Sequence, residues 1–187
     1  MTQRIKIIGG SLKGKKLPFS IPDKRLRPTS AKVREALFDI LRERIMGAAF
    51  LDLYAGSGAV GFEALSRGAA KVYFVDNSHT AISAIKAIPL FSGNKSNRAI
   101  VSTAAESLKR FAKNGETFDV VYVDPPYHSD EIELVLPLLG IDSVLKEDAV
   151  VVVEHFLKTA MPETSGALTL KRPYRYGDTV LSLYTFK

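Results

Sequence analysis

Short apolar runs alternate with amphipathic helical segments along most of this chain, which is the pattern of an α/β protein. Five of the runs are predicted to be strands of a parallel sheet, at about residues 50–54, 71–75, 98–102, 118–123 and 149–153. Two more strands are predicted on either side of Gly177-Asp178, at about residues 167–174 and 179–186. We expect at least the last of these to run antiparallel to its neighbours.

The N-terminal part of the chain has a different pattern. Residues 4–18 are predicted to form a small hairpin that turns at Gly9-Gly10 and continues into a basic loop. A helix is then predicted behind Ser30 as a possible N-cap, with its apolar stripe at Val33, Leu37, Ile40 and Leu41. We therefore divide the chain into an N-terminal extension, residues 1–28, and one α/β domain, residues 29–187.

The first predicted strand of the domain runs into a glycine-rich turn. Gly56, Gly58 and Gly61 match the pattern G-x-G-x-x-G, in which glycines allow a tight turn and the close approach of a ligand to the backbone. The next predicted strand ends in Asp76, twenty positions after Gly56, where an acidic side chain reaches ribose hydroxyls. Together these features predict a nucleoside-binding site.

The charge near this turn bears on which nucleoside is bound. Asp52 lies within the strand, four residues before Gly56. A pyrophosphate prefers a helix N-terminus without an anion beside it, whereas S-adenosylmethionine carries an ammonium group and a sulfonium. The carboxylate favours S-adenosylmethionine, and NAD stays open because the sequence does not fix the orientation of Asp52.

A second motif, Asp124-Pro125-Pro126-Tyr127, directly follows the apolar run at residues 118–123. Its prolines stiffen the turn and remove two backbone donors. Asp124 and the Pro125 carbonyl are suited to accept the two N–H bonds of a planar amino group, while Tyr127 stacks on its ring. This arrangement favours methyl transfer to an aromatic amine, and both guanine N2 and adenine N6 satisfy it.

The two motifs resemble those of amino-methyltransferases: Asp52 to Gly58 is similar to their motif I, and Asp124 to Tyr127 to their motif IV. Three further strings, Arg4 to Gly10, Arg27 to Phe38 and Glu63 to Ala69, are similar to the RsmD family, which methylates a guanine N2 in 16S ribosomal RNA. The resemblance covers nearly the whole chain. It implies a Rossmann-like class I methyltransferase fold, with a seven-stranded, mostly parallel sheet and an antiparallel last strand, preceded by the small β-hairpin.

The resemblance also implies a cofactor and a set of site residues. The donor would be S-adenosylmethionine, the product S-adenosylhomocysteine, and no metal would take part. Asp124, Pro125 and Tyr127 would be catalytic. The cofactor would be bound by Asp52, Tyr54, Ala55, Gly56, Ser57, Gly58, Asp76, Asn77, Ala105 and Asp124. Asp76 stands where a glutamate is more usual, which shortens its reach by one methylene.

The uneven placement of charge indicates an RNA partner. Residues 1–48 contain twelve lysines and arginines and four acidic residues, a net charge of +8, whereas the remaining 139 residues carry a net charge of −2. Basic residues concentrated in one segment are typical of proteins that bind a polyanion. Together with the resemblance, they predict 16S rRNA, within the small ribosomal subunit, as the partner. The predicted phosphate contacts are Lys13, Lys15, Lys16, Arg25, Arg27, Lys32 and Arg34.

Composition excludes several other classes of protein. The chain has no cysteine, so it has neither disulfides nor thiolate metal sites. It also lacks an apolar run long enough to span a bilayer and a signal-peptide core at its start, so we expect a cytoplasmic protein with no membrane partner. A monomer is expected because the sequence shows no hydrophobic interface. Three alternatives stay open: a DNA adenine-N6 methyltransferase, for whose recognition region the chain has little room, a NAD-dependent oxidoreductase, and a non-catalytic RNA-binding protein of the same fold.

Overall fold

The computed structural model describes residues 5–17, 30–126, 129–141 and 143–187, and its elements are numbered here along the chain. The strands are β1 Ile5–Lys6, β2 Lys16–Leu17, β3 Ala49–Asp52, β4 Lys71–Asp76, β5 Arg98–Val101, β6 Phe118–Val123, β7 Leu145–Phe156, β8 Thr164–Ser165, β9 Leu168–Tyr176 and β10 Thr179–Phe186. The helices are α1 Ala31–Ile40, α2 Ala59–Ser66, α3 His79–Lys86, α4 Pro89–Ser92, α5 Ala104–Asn114 and α6 Glu131–Ile141, with one 3₁₀ turn at Arg42–Arg44.

Strands β3 to β10 form one sheet in the order β5-β4-β3-β6-β7-β10-β9-β8. The first five strands of that order are mutually parallel, and β10 is inserted between β7 and β9, antiparallel to both. The seven long strands confirm the predicted sheet and its antiparallel last strand. The sequence did not predict β8, a two-residue strand at the edge next to β9.

Helices cover the sheet on both faces, because its strands carry apolar side chains on both sides. On one face Phe38 of α1 and Phe62 of α2 pack against the sheet, and on the other Leu108 of α5 and Leu139 of α6 do so. The predicted N-cap of α1 is confirmed, since Ser30 Oγ accepts a hydrogen bond from the backbone N–H of Val33 at 3.2 Å. The ends of the strands are thereby fixed on a rigid scaffold.

The described part of the N-terminal extension packs onto the domain. Strands β1 and β2 pair antiparallel, as the predicted hairpin requires. Ile7 and Leu17 are buried in the same core as Phe38. The predicted boundary between residues 28 and 29 lies outside the described residues.

A buried ion network lies where the extension meets α2. Glu63 has no exposed side-chain area, and its carboxylate lies 3.6 Å from Arg34 Nε and 2.9 Å from Arg67 Nε. It also accepts a hydrogen bond from the backbone N–H of Ile8 at 2.9 Å. Arg34 in turn donates to the carbonyl of Lys6 at 2.8 Å. The network therefore ties the extension, α1 and α2 together.

The prediction that Arg34 contacts RNA phosphate is corrected by this placement. Its side chain is only 6% exposed, and its guanidinium forms an ion pair with Glu63 and donates a hydrogen bond to the Lys6 carbonyl. Burial lowers the pKa of Arg34 and is the largest influence on it, whereas the negative charge of Glu63 raises this pKa. Arg34 holds the extension in position and presents no free surface to a phosphate.

Candidate active site

A cavity of about 970 Å³ opens at the carboxyl ends of the parallel strands. This is the edge at which open α/β sheets bind ligands, and the volume is near the upper end of the usual range for ligand pockets. Its two halves are formed by different strands. One half is lined by residues that follow β3, β4 and β5, and the other by residues at the ends of β6, β7 and β9.

Part of the glycine turn, Gly56 and Ser57, lines the first half of the cavity, whereas the predicted cofactor residue Gly58 does not. Gly56 and Gly58 have φ values of +49° and +73°, in the left-handed region that favours glycine. Gly58 is the N-cap of α2. Gly61 serves packing instead, because a Cβ at that position would lie 2.2 Å from Cε1 of Phe74. The three predicted glycines thus allow the turn and the close approach of α2 to β4.

Asp76, at the end of β4, is bound to the backbone of two loops. Its Oδ2 accepts the N–H of Gly56 at 2.7 Å, and its Oδ1 accepts the N–H of Ser78 at 2.8 Å. Both Asp76 and Asn77, which are predicted to bind the cofactor, line the cavity. Asp76 therefore orders the glycine turn, and its predicted contact with ribose stays a prediction because carboxylate oxygens accept more than one hydrogen bond.

Asp52 lies at the floor of this half, where it is only 1% exposed. Burial raises the pKa of its carboxyl to about 7, and the nearby Asp76 charge adds to the rise. The N–H of Gly61 opposes it by donating to Oδ2 at 3.0 Å. A cation bound beside Asp52 would restore the ionised form, which suits the positive ligand predicted from the sequence.

The remaining predicted cofactor residues lie around the same half of the cavity. Tyr54, Ala55 and Ser57 line it, and the Tyr54 hydroxyl donates to Glu131 at 2.6 Å. Burial is the main cause that raises the pKa of Tyr54, so this hydroxyl stays a donor. Ala105 lies in the first turn of α5, where its neighbours Ser102, Thr103 and Ala104 line the cavity and Ala105 does not.

The catalytic turn predicted after β6 borders the second half. Asp124, Pro125 and Pro126 all line the cavity. The carbonyl of Pro126 accepts a hydrogen bond from Ser129 Oγ at 2.8 Å, which closes the turn ahead of α6. Tyr127, the predicted stacking residue, lies outside the described residues. The described part of the turn and the glycine turn therefore border one cavity.

Sequence reasoning missed three residues of the second half. Glu154, near the end of β7, is 4% exposed, and its carboxylate accepts a hydrogen bond from the Tyr122 hydroxyl. Phe156 and Tyr176 line the cavity beside it. A signal was available, because Glu154 interrupts an otherwise apolar run in a strand that is buried on both faces.

The predicted RNA contacts have different surroundings. Lys13, Lys15 and Lys16 are exposed on the extension, and Lys32, on the first turn of α1, lines the mouth of the cavity. Arg25 and Arg27 lie outside the described residues. The described lysines place positive charge on the extension and on the adjacent rim of the cavity.

In the parts of the chain that the structure describes, histidines and acidic residues form no group of three or more that could hold a metal ion. None of their helices combines the length and apolar character needed to cross a membrane.

The strand order and the glycine turn define the fold as that of the class I methyltransferases. A family model described as "Conserved hypothetical protein 95" matches residues 5–185, and the chain belongs to this family. The chain is 36% identical over 182 residues to the Escherichia coli (strain K12) "Ribosomal RNA small subunit methyltransferase D", covering 97% of this chain and 89% of the relative. It is 34% identical over 181 residues to the Bacillus subtilis (strain 168) "Putative rRNA methyltransferase YlbH", covering 96% and 98%. The predicted resemblance to the RsmD family is confirmed.

Solved structures support the same fold. The "Putative methyltransferase yhhF from Escherichia coli" superimposes with a TM-score of 0.84 at 33% identity, covering 99% of both chains. The Thermus thermophilus 16S rRNA N2 G1207 methyltransferase (RsmC), in complex with AdoMet and guanosine, superimposes with a TM-score of 0.72 at 21% identity. That alignment covers 100% of this chain and 50% of the RsmC chain, and it concerns the fold alone.

Proposed function

We propose that this protein transfers a methyl group from S-adenosylmethionine to the exocyclic N2 amine of a guanine in 16S rRNA. The observation that carries the proposal is a single cavity bordered by both the glycine turn and the Asp124–Pro126 turn. The family and the names of its curated relatives support an rRNA substrate. The chemistry of the two halves supports a nucleoside donor and an aromatic amine as acceptor.

The donor half fits S-adenosylmethionine. Asp52 presents a buried carboxyl to the ammonium group, and Asp76 presents a carboxylate to the ribose hydroxyls. A Cβ at Gly56 would meet no atom within 4 Å, so the backbone there faces open cavity that a ligand can approach. When bound, S-adenosylmethionine supplies a methyl group on a positively charged sulfur, which leaves as a neutral thioether.

The acceptor half activates the amine. The lone pair of an exocyclic amino nitrogen is spread into its ring, so the nitrogen is a poor nucleophile. Hydrogen bonds from its two protons to Asp124 and the Pro125 carbonyl favour a pyramidal nitrogen and stabilise the positive charge that develops on it. Once the methyl group is transferred, the nitrogen loses one of these protons to Asp124 or to water and becomes neutral. Correct positioning of two reactants contributes about 7–11 kcal/mol in well-oriented systems. The rigid Pro125-Pro126 turn would position the amine, and the glycine turn, held by Asp76, would position the methyl donor.

The basic extension recognises the RNA in this proposal. Lys13, Lys15 and Lys16 contact phosphates, and Lys32 guides the strand toward the cavity. The target base enters the acceptor half from a loop or after leaving its stack, as is usual for enzymes that act on bases. Because the extension is small, we propose that the small ribosomal subunit provides part of the recognition surface and that the protein acts on it as a monomer in the cytoplasm.

Two experiments test this function. Titration calorimetry with S-adenosylmethionine and with NAD separates a methyltransferase from an oxidoreductase, and binding of NAD alone would overturn the proposal. Incorporation of labelled methyl groups is then compared between naked 16S RNA and under-methylated small subunits. Faster transfer to the subunits is expected. Equal rates on both substrates would show that rRNA alone is recognised and that the subunit contributes nothing to recognition.

A further inference from the structure

The acceptor half contains a buried carboxylate that the proposed methyl transfer does not use. Glu154 is near the end of β7, the strand beside β6, whose end carries Asp124. Its side chain belongs to the same face of the sheet as Tyr122, whose hydroxyl donates to it. Because β6 and β7 pair Tyr122 with Val152 and Val123 with Val153, Glu154 comes level with the start of the catalytic turn.

The surroundings of Glu154 suit a purine. Phe156 and Tyr176 are aromatic, partly buried, and line the same half of the cavity. Base stacking on such aromatic side chains is sequence-tolerant, since every base has a π-face. Discrimination among bases must therefore come from hydrogen bonds to the edge of the ring.

A carboxylate at this place distinguishes guanine from other amino-bearing purines. Guanine carries a ring N1–H next to its N2 amine, and a carboxylate accepts that N–H bond. In adenine and in 2-aminopurine the ring nitrogen N1 next to the amine carries no hydrogen, and the same carboxylate repels its lone pair. The hydrogen bond from Tyr122 holds the carboxylate in place, and a carboxylate can accept more than one hydrogen bond.

We propose that Glu154 accepts the N1–H of the target guanine and so makes the acceptor half specific for guanine. This inference rests on the proposed function and deepens it, because the Asp124–Pro126 turn suits guanine N2 and adenine N6 equally. Glu154 reads the ring edge, and Asp124 with Pro125 engages the amine that is methylated. Phe156 and Tyr176 bind the ring faces without choosing among purines.

The test measures equilibrium binding of guanosine and of 2-aminopurine riboside to the protein saturated with S-adenosylhomocysteine. Both nucleosides carry the 2-amino group, and they differ at N1 and at position 6. A hydrogen bond to a charged group corresponds to a preference of about 10- to 100-fold. We expect the wild-type protein to bind guanosine more tightly by about that factor.

The informative variant is Glu154→Gln, which keeps an acceptor for Tyr122 and adds an amide donor that suits a bare N1. Its preference for guanosine should fall by at least about tenfold, toward equal binding of the two nucleosides. Tyr176→Leu should weaken both nucleosides equally and leave their ratio unchanged. Glu147→Gln, on the exposed opposite end of β7, should change neither affinity.

An unchanged preference in Glu154→Gln, with S-adenosylhomocysteine still bound normally, would overturn the role of Glu154. So would a wild-type protein that binds the two nucleosides equally or binds neither. The proposed function is tested separately, by the position of the methyl group in rRNA. If guanine N2 is methylated but Glu154→Gln keeps the preference for guanosine, only the proposed role of Glu154 is overturned. If adenine N6 is methylated, both proposals are overturned.

Discussion

The backbone N–H of Gly61 donates to the carboxylate of Asp52 at 3.0 Å, and so joins the end of β3 to the first turn of α2. Because Asp52 is buried, its pKa is raised to about 7 despite this hydrogen bond. The group that would bind the donor ammonium is therefore half-protonated near neutral pH. Binding of a cation must shift it to the ionised form, which links donor affinity to pH.

The first prediction is that S-adenosylmethionine binds about tenfold more weakly at pH 5.5 than at pH 7, because only the ionised fraction of Asp52 is competent. Both pH values lie below the usual pKa of an α-ammonium group, so the ligand keeps its charge. Calorimetry measures the dissociation constants. Asp52→Asn should bind weakly with little dependence on pH, and an equally steep dependence in that variant would assign the effect to another group.

The same pKa predicts how stability changes with pH in the absence of ligand. Between about pH 4 and pH 7 the folded carboxyl retains a proton that the unfolded one has released. The free energy of unfolding contributed by Asp52 therefore falls as pH rises through that window. Denaturant titrations should show Asp52→Asn gaining stability relative to wild type as pH rises from 4 to 7, and a constant difference would contradict the raised pKa.

Gly61→Ala tests the close approach of α2 to β4. The new Cβ would lie 2.2 Å from Cε1 of Phe74, whose ring is buried and packs against Phe62 with centroids 5.0 Å apart. We expect the free energy of unfolding to fall by about 1–3 kcal/mol, as overpacking in a core does. In Gly93→Ala the nearest contact is an ordinary 3.5 Å, so its change should stay within about 0.5 kcal/mol.

Glu63→Gln tests the network that fixes the extension. Neutralising Glu63 leaves the buried guanidinium of Arg34 without its compensating charge. Removal of one partner from a buried ion pair costs about 3–5 kcal/mol of stability. Urea unfolding measures this loss, with Glu35→Gln on the exposed face of α1 as the control. Equal stability of the two variants would show that the network contributes nothing to the fold.

The lysines of the extension are tested by the salt dependence of RNA binding. Replacing Lys13, Lys15 and Lys16 together by glutamine should reduce the slope of log affinity against log salt by up to about 3. The control replaces the exposed Lys109, Arg110 and Lys113 of α5, which changes the net charge equally. Equal slopes for the two triple variants would place the RNA elsewhere on the surface.

Local patterns in the sequence predict most of the fold and the donor half of the site. The Ser30 cap, the glycine turn and the acidic end of β4 each depend on residues close together in the chain, so they can be recognised as sequence motifs. The role of Arg34 cannot be recognised in this way, because it depends on Glu63, which the fold brings next to it. Glu154 does leave a local signal, as an acidic residue in an apolar run, but its contact with Tyr122 on a neighbouring strand cannot be seen in the sequence. The two-residue strand β8 is too short to show the alternation of apolar and polar residues by which a strand is predicted.

The nucleoside composition of rRNA treated with the enzyme tests the central claim most directly. Under-methylated small subunits are incubated with S-adenosylmethionine and the protein, and the digested rRNA is examined by mass spectrometry. Wild type and the remote Asp148→Asn should form N2-methylguanosine, while Asp124→Asn should form it at least about 100-fold more slowly at saturating S-adenosylmethionine. Formation of N6-methyladenosine, or undiminished N2-methylguanosine with Asp124→Asn, would contradict the account.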